Sequence, residues 1–342
     1  MASTRRNHYD VTNRVNVSHP GRVCAAIVEL LQKFSPQADA SAITRAIERY
    51  TALYAGTLPG YHGCDTWYHD VQHSLDCALA MTRLLDGHER SVKQTDRLGP
   101  DRVTLGIIIA IFHDAGYVRS DHDQASNGAA YTLTHVRRSG EFIADFLPEV
   151  GMGQYADLAR HVVHFTGYEI ALDKIDVQHP KDRLLGFMLG TADILAQTSD
   201  RCYLEKCRDF LFREFTYCGM AGTSEPGEKP RQYPTSDDLL SGTPDFNRHL
   251  WKDRLDGYFQ GVHRYMNAHF GGSNPYVEQI EKHLSLAAKL GKKRAFHKLN
   301  KRPQPVDAKA LREMMGLSGG HARQATRNQA GGRTLRRTLS PA

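Results

Sequence analysis

The chain has 342 residues, 40% of them hydrophobic and 24% charged, which is enough material for one large core or two smaller ones. Its best apolar run, GIIIAIF at 106–112, falls far short of the roughly 18–20 residues of a membrane span. The opening MASTRRNHYD has no apolar stretch after its arginines, so no secretory signal is expected either. The net charge of +6 is unevenly divided: residues 289–342 carry 14 Lys and Arg against two Asp and Glu, hence +12, and the other 288 carry 30 against 36, hence −6. An acidic body lacks the basic face of a nucleic-acid binder, whereas the basic end suits an acidic partner. Six cysteines, at 24, 64, 77, 202, 207 and 218, form no Cys-x-x-Cys pair and read as reduced thiols of a cytoplasmic protein.

Apolar residues three and four apart run through 22–34, 41–56, 67–85, 105–117, 131–147, 155–165, 183–197, 201–215, 249–270 and 274–290. No segment alternates long enough to make a strand. The expectation is an all-α domain over 18–298, with a flexible N-terminus at 1–17. The Pro- and Gly-rich 220–238 reads as a surface loop. Residues 299–342 read as a basic tail without fixed structure, dispensable for folding and chemistry.

Within these helices several polar residues are out of place. In WYHDVQHSLDCALAMTRLL (67–85), His69, His73, Cys77, Ala80 and Leu84 fall on one helical stripe, and Val71, Leu75, Ala78 and Thr82 on a second. Both stripes are largely apolar, so the two histidines point into protein, either as hydrogen-bonded core residues or as ligands. LGIIIAIFHDAGY (105–117) is apolar all round and ends in His113-Asp114, with Gly116 as a helix terminator. In FMLGTADILAQ (187–197), Asp193 interrupts an apolar run, and a buried carboxylate needs a partner, either a metal or a donor group. Between these lie His135, in THVRRSGEF, and the pair His161 and His164, in ARHVVHFTGYE.

Taken in order, a histidine pair, His-Asp, spaced histidines and an Asp in a TAD context resemble the HD superfamily of metal-dependent phosphohydrolases over residues 67–198. Tyr68-His69-Asp70-x-x-His73 resembles the Tyr-His-Asn-x-x-His signature of class I cyclic-nucleotide phosphodiesterases. The resemblance implies an HD-domain, phosphodiesterase-like helical bundle. His73, His113, Asp114 and Asp193 would hold a primary metal. His135 and His164, with His161 as the alternative to His164, would help hold a second. His69 would be the general acid. The metals would be two divalent ions, of iron, manganese, zinc or magnesium. The implied substrate is a small phosphoester, a cyclic or other nucleotide first among them, attacked by metal-activated water. Tyr117, Phe165 and Tyr168 flank the ligands and are read as substrate-binding, with core packing as the alternative.

The sequence departs from these relatives in places. Asp70 replaces their Asn. HDAGYVRSDHD lacks the tight His-Asp-x-x-His, and HFTGYE lacks the Gly-Tyr-Pro of the cyclic-di-GMP-cleaving branch. Two other functions remain open: a diiron oxygenase on the same ligands, and a non-catalytic nucleotide-binding module.

Overall fold

In a computed structural model, residues 5–224 and 227–317 are described. Among them the chain is all-α: no strand forms, and extended pairings are confined to isolated bridges such as Tyr61 with Ser120. None of the helices is long and apolar enough to cross a membrane.

Helices α1 (Pro20–Phe34) and α2 (Ala40–Ala55) precede the central element, α3 (Val71–Ser91). α3 is buried from Val71 to Glu89 because α1, α4 (Pro100–Phe112), α7 (Pro180–Ser199) and α11 (Tyr265–Phe270) pack around it. The expected start at residue 67 is corrected to Val71. Asp70 is the N-cap: its Oδ1 accepts the His73 backbone N–H at 3.2 Å, satisfying one orphan donor of the first turn. His69 therefore stands outside the helix and shares no helical stripe with His73.

α4 is buried from Val103 onward and delivers His113 and Asp114 just past its last turn. The expected role of Gly116 as helix terminator is also corrected. Its backbone has no left-handed twist; a Cβ here would run into the His135 carbonyl. Glycine is needed so that α5 (His135–Phe146) can come close to the His113-Asp114 corner. After α6 (Ala156–Val162), α7 carries Asp193 through the core beside α3.

α8 (Tyr203–Lys206) and α9 (Phe212–Tyr217) are joined by a wide π-type turn, Cys207–Leu211. α10 (Ser236–His249) starts inside the expected loop, where Thr235 and Asp238 form a reciprocal capping box. The expected helix over 249–270 instead breaks at Gln260 and Gly261, both with positive φ, before α11. α12 (Pro275–Lys292) and α13 (Ala308–Met314) complete the bundle.

Both chain ends differ from expectation. In the described part of 1–17, Asp10 is fully buried, and its Oδ2 accepts from Arg83 Nη2 at 2.6 Å. The other guanidinium nitrogen, Nη1, donates to the Tyr276 hydroxyl at 2.7 Å. A buried carboxylate paired with a buried guanidinium anchors this segment, since removing either partner strands a charge. In the supposed tail, residues up to 317 are described, several of them buried, and the remainder, 318–342, lies outside the described residues. Val306 N–H donates to Asp70 Oδ2 at 2.8 Å, Ala308 N–H donates to the Cys64 carbonyl at 3.0 Å, and Leu311 is fully buried against the core.

This strap holds the same Asp70 that caps α3, so its loss would expose apolar surface and unpair a buried carboxylate. Truncation after residue 300 should therefore cost on the order of 3 kcal/mol, from the burial of Val306 and Leu311 alone. The melting temperature should fall by several degrees. An unchanged melting curve for the truncated chain would show that the strap contributes nothing.

Candidate metal centre and its cavity

Four side chains from three places in the sequence converge under α3. His73 Nε2 lies 3.2 Å from Asp114 Oδ2, 3.2 Å from Asp193 Oδ1 and 3.3 Å from His113 Nε2. His113 Nε2 lies 3.4 Å from Asp114 Oδ2 and 3.6 Å from Asp193 Oδ1. All four residues are buried.

The chemistry of this donor set suits a cation. His113 Nδ1 donates to the Ala110 carbonyl at 2.9 Å, which fixes the proton there and leaves the Nε2 lone pair facing the carboxylates. Among the described residues Asp114 Oδ2 is buried with no donor in hydrogen-bonding geometry, a costly state without a positive partner. Without a metal the histidines provide that charge. Burial pulls the His73 imidazole down, but Asp114 and Asp193 outweigh it and raise its pKa to about 9. His113 moves up against its burial, chiefly through Asp114, and both carboxylates fall below their ordinary range because the two imidazoles outweigh burial. His73, His113 and Asp114 could thus hold a metal ion, as could Cys77, His113 and Asp193, whose ligand atoms also group within 4.8 Å. Burial pushes the Cys77 thiol up to about 11, so it is a neutral neighbour of His113.

The surroundings include two residues that the sequence did not single out. Gln197, one turn after Asp193 on α7, donates to Asp193 Oδ1 at 3.0 Å, and Tyr68 OH donates to Gln197 Oε1 at 3.3 Å. The i, i+4 spacing in ADILAQ was the available signal. Groups that orient a ligand carboxylate are worth about 10–100-fold in metal affinity. Gln197→Ala should weaken the metal by that factor in chelator competition, and unchanged affinity would show that Gln197 only fills space.

The second is Glu214 on α9. It is fully buried and accepts the backbone N–H groups of Trp67 and Tyr68 at 2.7 and 2.6 Å, and His69 Nδ1–H at 2.6 Å. This explains why residues 67–69 stay out of the helix, since their N–H groups are already satisfied. It also turns His69 so that its other ring nitrogen, Nε2, is left for the cavity. One acid in an amphipathic stretch 145 residues away gave no sequence signal.

His69, Tyr117 and His135 form a stack of three rings: Tyr117 lies 4.4 Å from His69 and 4.2 Å from His135, nearly parallel to both. His135 Nδ1 donates to the Thr132 carbonyl at 2.8 Å, and its Nε2 lies 3.6 Å from Asp114 Oδ1, the oxygen turned away from His73. Burial outweighs Asp114 here and lowers the His135 pKa to about 4, leaving a neutral imidazole with its lone pair toward Asp114.

Two expected site residues are placed elsewhere. His164 sits in the tight turn Val163–Phe165, which packs on α5 and α7. Among the described residues it pairs with no carboxylate. Its Nδ1 is buried without a partner, and its charged neighbours are His161 and Arg137, which with burial lower its pKa. His161 does not line the cavity either. Of the histidines expected to help hold a second metal, only His135 reaches the centre, at Asp114 Oδ1. Phe165 is fully buried against Phe187 and Phe259 and belongs to the core rather than the wall.

The cavity above the centre encloses about 400 Å³. Asp114, His73 and Asp193 form its floor, and His69, Tyr117 and His135 one wall. The opposite wall comes from α8 to α10 and the loop between α9 and α10. Tyr168 stands at the mouth beneath the Arg254 guanidinium, 3.8 Å above its ring.

No family model matches the chain, and no curated protein matches it. Chemically, the buried centre offers imidazole and carboxylate donors at the base of an open cavity, with a further histidine held by a carboxylate beside it.

Proposed function

We propose that the chain is a metal-dependent phosphohydrolase of the HD type, acting on a small phosphodiester, with nucleotides as the first candidates. The observation that carries this reading is the placement of His69. Its ring lies 5.8 Å from that of His73 and 6.1 Å from that of His135, on the same cavity, and Glu214 holds its far side. One histidine is thus a candidate ligand, and the other is a proton donor aimed at the same space.

His73, His113, Asp114 and Asp193 would hold the metal, and the second oxygen of Asp114, with His135, would help hold a second ion. A divalent ion there would lower the pKa of water enough to make hydroxide available at neutral pH and would neutralise phosphoryl charge. The remaining work belongs to the chain. Glu214 keeps the proton on His69 Nδ1 and the ring in place, so Nε2 can deliver a proton to the departing alkoxide oxygen. Tyr117, stacked on the ring, stops it from tilting.

The test is purified protein loaded in turn with Mn²⁺, Mg²⁺, Fe²⁺ and Zn²⁺ and assayed against a phosphoester panel. Turnover that depends on metal supports the reading. Demonstrably bound metal with no turnover of any phosphoester would sink it.

A further inference from the structure

The walls of the cavity say which phosphoester would fit. Among the described residues, no Lys or Arg lines it. Arg254, behind the mouth, lies over Tyr168 and donates to the Gly167 carbonyl at 2.7 Å. The one carboxylate on the walls away from the metal floor, Glu169, accepts the N–H groups of Val136 and Arg137 at the start of α5. Away from the floor the lining is chiefly apolar and aromatic, with Tyr203, Leu211, Phe215, Met220, Tyr233 and Leu239. At the mouth stand Leu133, Tyr168 and Phe246, exposed by 65%, 68% and 48%. They are three of the six large hydrophobic residues exposed among the described residues. Apolar side chains gathered at the rim of a cavity mark a binding surface, where scattered ones do not.

We infer that the site takes a singly charged phosphodiester carrying a bulky apolar or aromatic group, which runs from the metal floor to the apolar mouth. This inference rests on the phosphohydrolase reading and narrows its substrate. A polyphosphate would bring additional charges to walls that offer no cation and one carboxylate, and burying an unpaired charge is costly. A dimethyl or similarly short-chain ester would leave most of the roughly 400 Å³ unfilled. In the reaction, the oxygen of water bonds to phosphorus and gives up a proton to solvent, the bond from phosphorus to the leaving oxygen breaks, and that oxygen takes the proton held by His69, which solvent then restores. The products are a phosphomonoester and an alcohol.

The experiment uses metal-loaded full-length protein and 4-nitrophenyl phosphodiesters with one leaving group and a second substituent of methyl, phenyl or 1-naphthyl. kcat/KM should rise about 10- to 100-fold from methyl to naphthyl, the scale expected from apolar area withdrawn from water. ATP and 4-nitrophenyl phosphate should be at least about tenfold poorer than the naphthyl diester, because each adds charge that the walls do not match. Phe246→Ala combined with Leu133→Ala should narrow the naphthyl-to-methyl ratio; both positions are exposed, so folding is not at stake. A flat series, a preference for ATP, or a thymidine 5′-(4-nitrophenyl) ester that outpaces the naphthyl ester tenfold would each overturn the inference while leaving hydrolysis intact. Equilibrium binding of the inert methyl and naphthyl methylphosphonates decides the matter even if no ester turns over. Tighter naphthyl binding upholds the apolar site, and equal binding removes it.

Discussion

His73→Ala, His113→Ala and Asp193→Ala should each weaken metal binding by more than about 100-fold, since even groups that merely orient ligands contribute 10–100-fold. Turnover should disappear with the metal, for good and poor leaving groups alike. The reason is geometric: His73 Nε2 and His113 Nε2 are 3.3 Å apart, with carboxylate oxygens 3.2 to 3.6 Å from them, so each histidine has three near neighbours in the set. Stability offers a second measurement. A metal that binds only the folded state adds about 2.7 kcal/mol when present at a hundred times its Kd. The parent protein should therefore melt higher with metal, and the three variants should lose that increment. Full occupancy in all three by elemental analysis would mean that these residues are not the ligands. Acidification should also release the metal, because protons compete for His73 and His113.

His69→Ala should give a different pattern, retaining metal while turnover of esters with poor alkoxide leaving groups slows by about 10²–10⁴-fold, the usual worth of a positioned acid. A 4-nitrophenyl diester should suffer much less, because its leaving group hardly needs a proton. Glu214→Gln should move in the same direction by a smaller factor. It keeps one acceptor for His69 Nδ1–H but removes the charge behind it, in a residue that also holds the backbone of 67–69. Loss of metal on His69→Ala, or equal penalties for both kinds of leaving group, would make His69 a ligand or a structural residue.

These two experiments separate residues only four apart in sequence, and the structure gives the reason for treating them differently. His73 is on the first turn of α3, and His69 lies before the Asp70 cap. The helical period alone had placed them on one stripe. A period cannot locate the first residue of a helix, because the start depends on where the orphan N–H groups find acceptors. Here the acceptors are Asp70, which is local, and Glu214, which is 145 residues away.

By itself the sequence determined the all-α class, through its three-and-four apolar spacing, and nominated the buried polar residues that had to be explained. His73, His113, Asp114 and Asp193 stood out because a charged or polar group inside an apolar helix needs a partner, and partners of that kind leave a chemical trace in residue type alone. Tertiary structure decided the rest, because those choices depend on which faces meet. Gly116 admits α5 to the Asp114 corner and brings His135 to its second oxygen. The tight turn after α6 places His164 against Arg137 instead, and Phe165 faces the core because α7 and the Phe259 segment cover it. The C-terminal strap shows the same limit. KRPQPVD looks like tail by composition, yet a single buried acceptor on Asp70 and a gap that Val306 and Leu311 can fill are enough to order it. Composition records how much apolar surface a segment carries, and only packing decides whether there is a place to bury it.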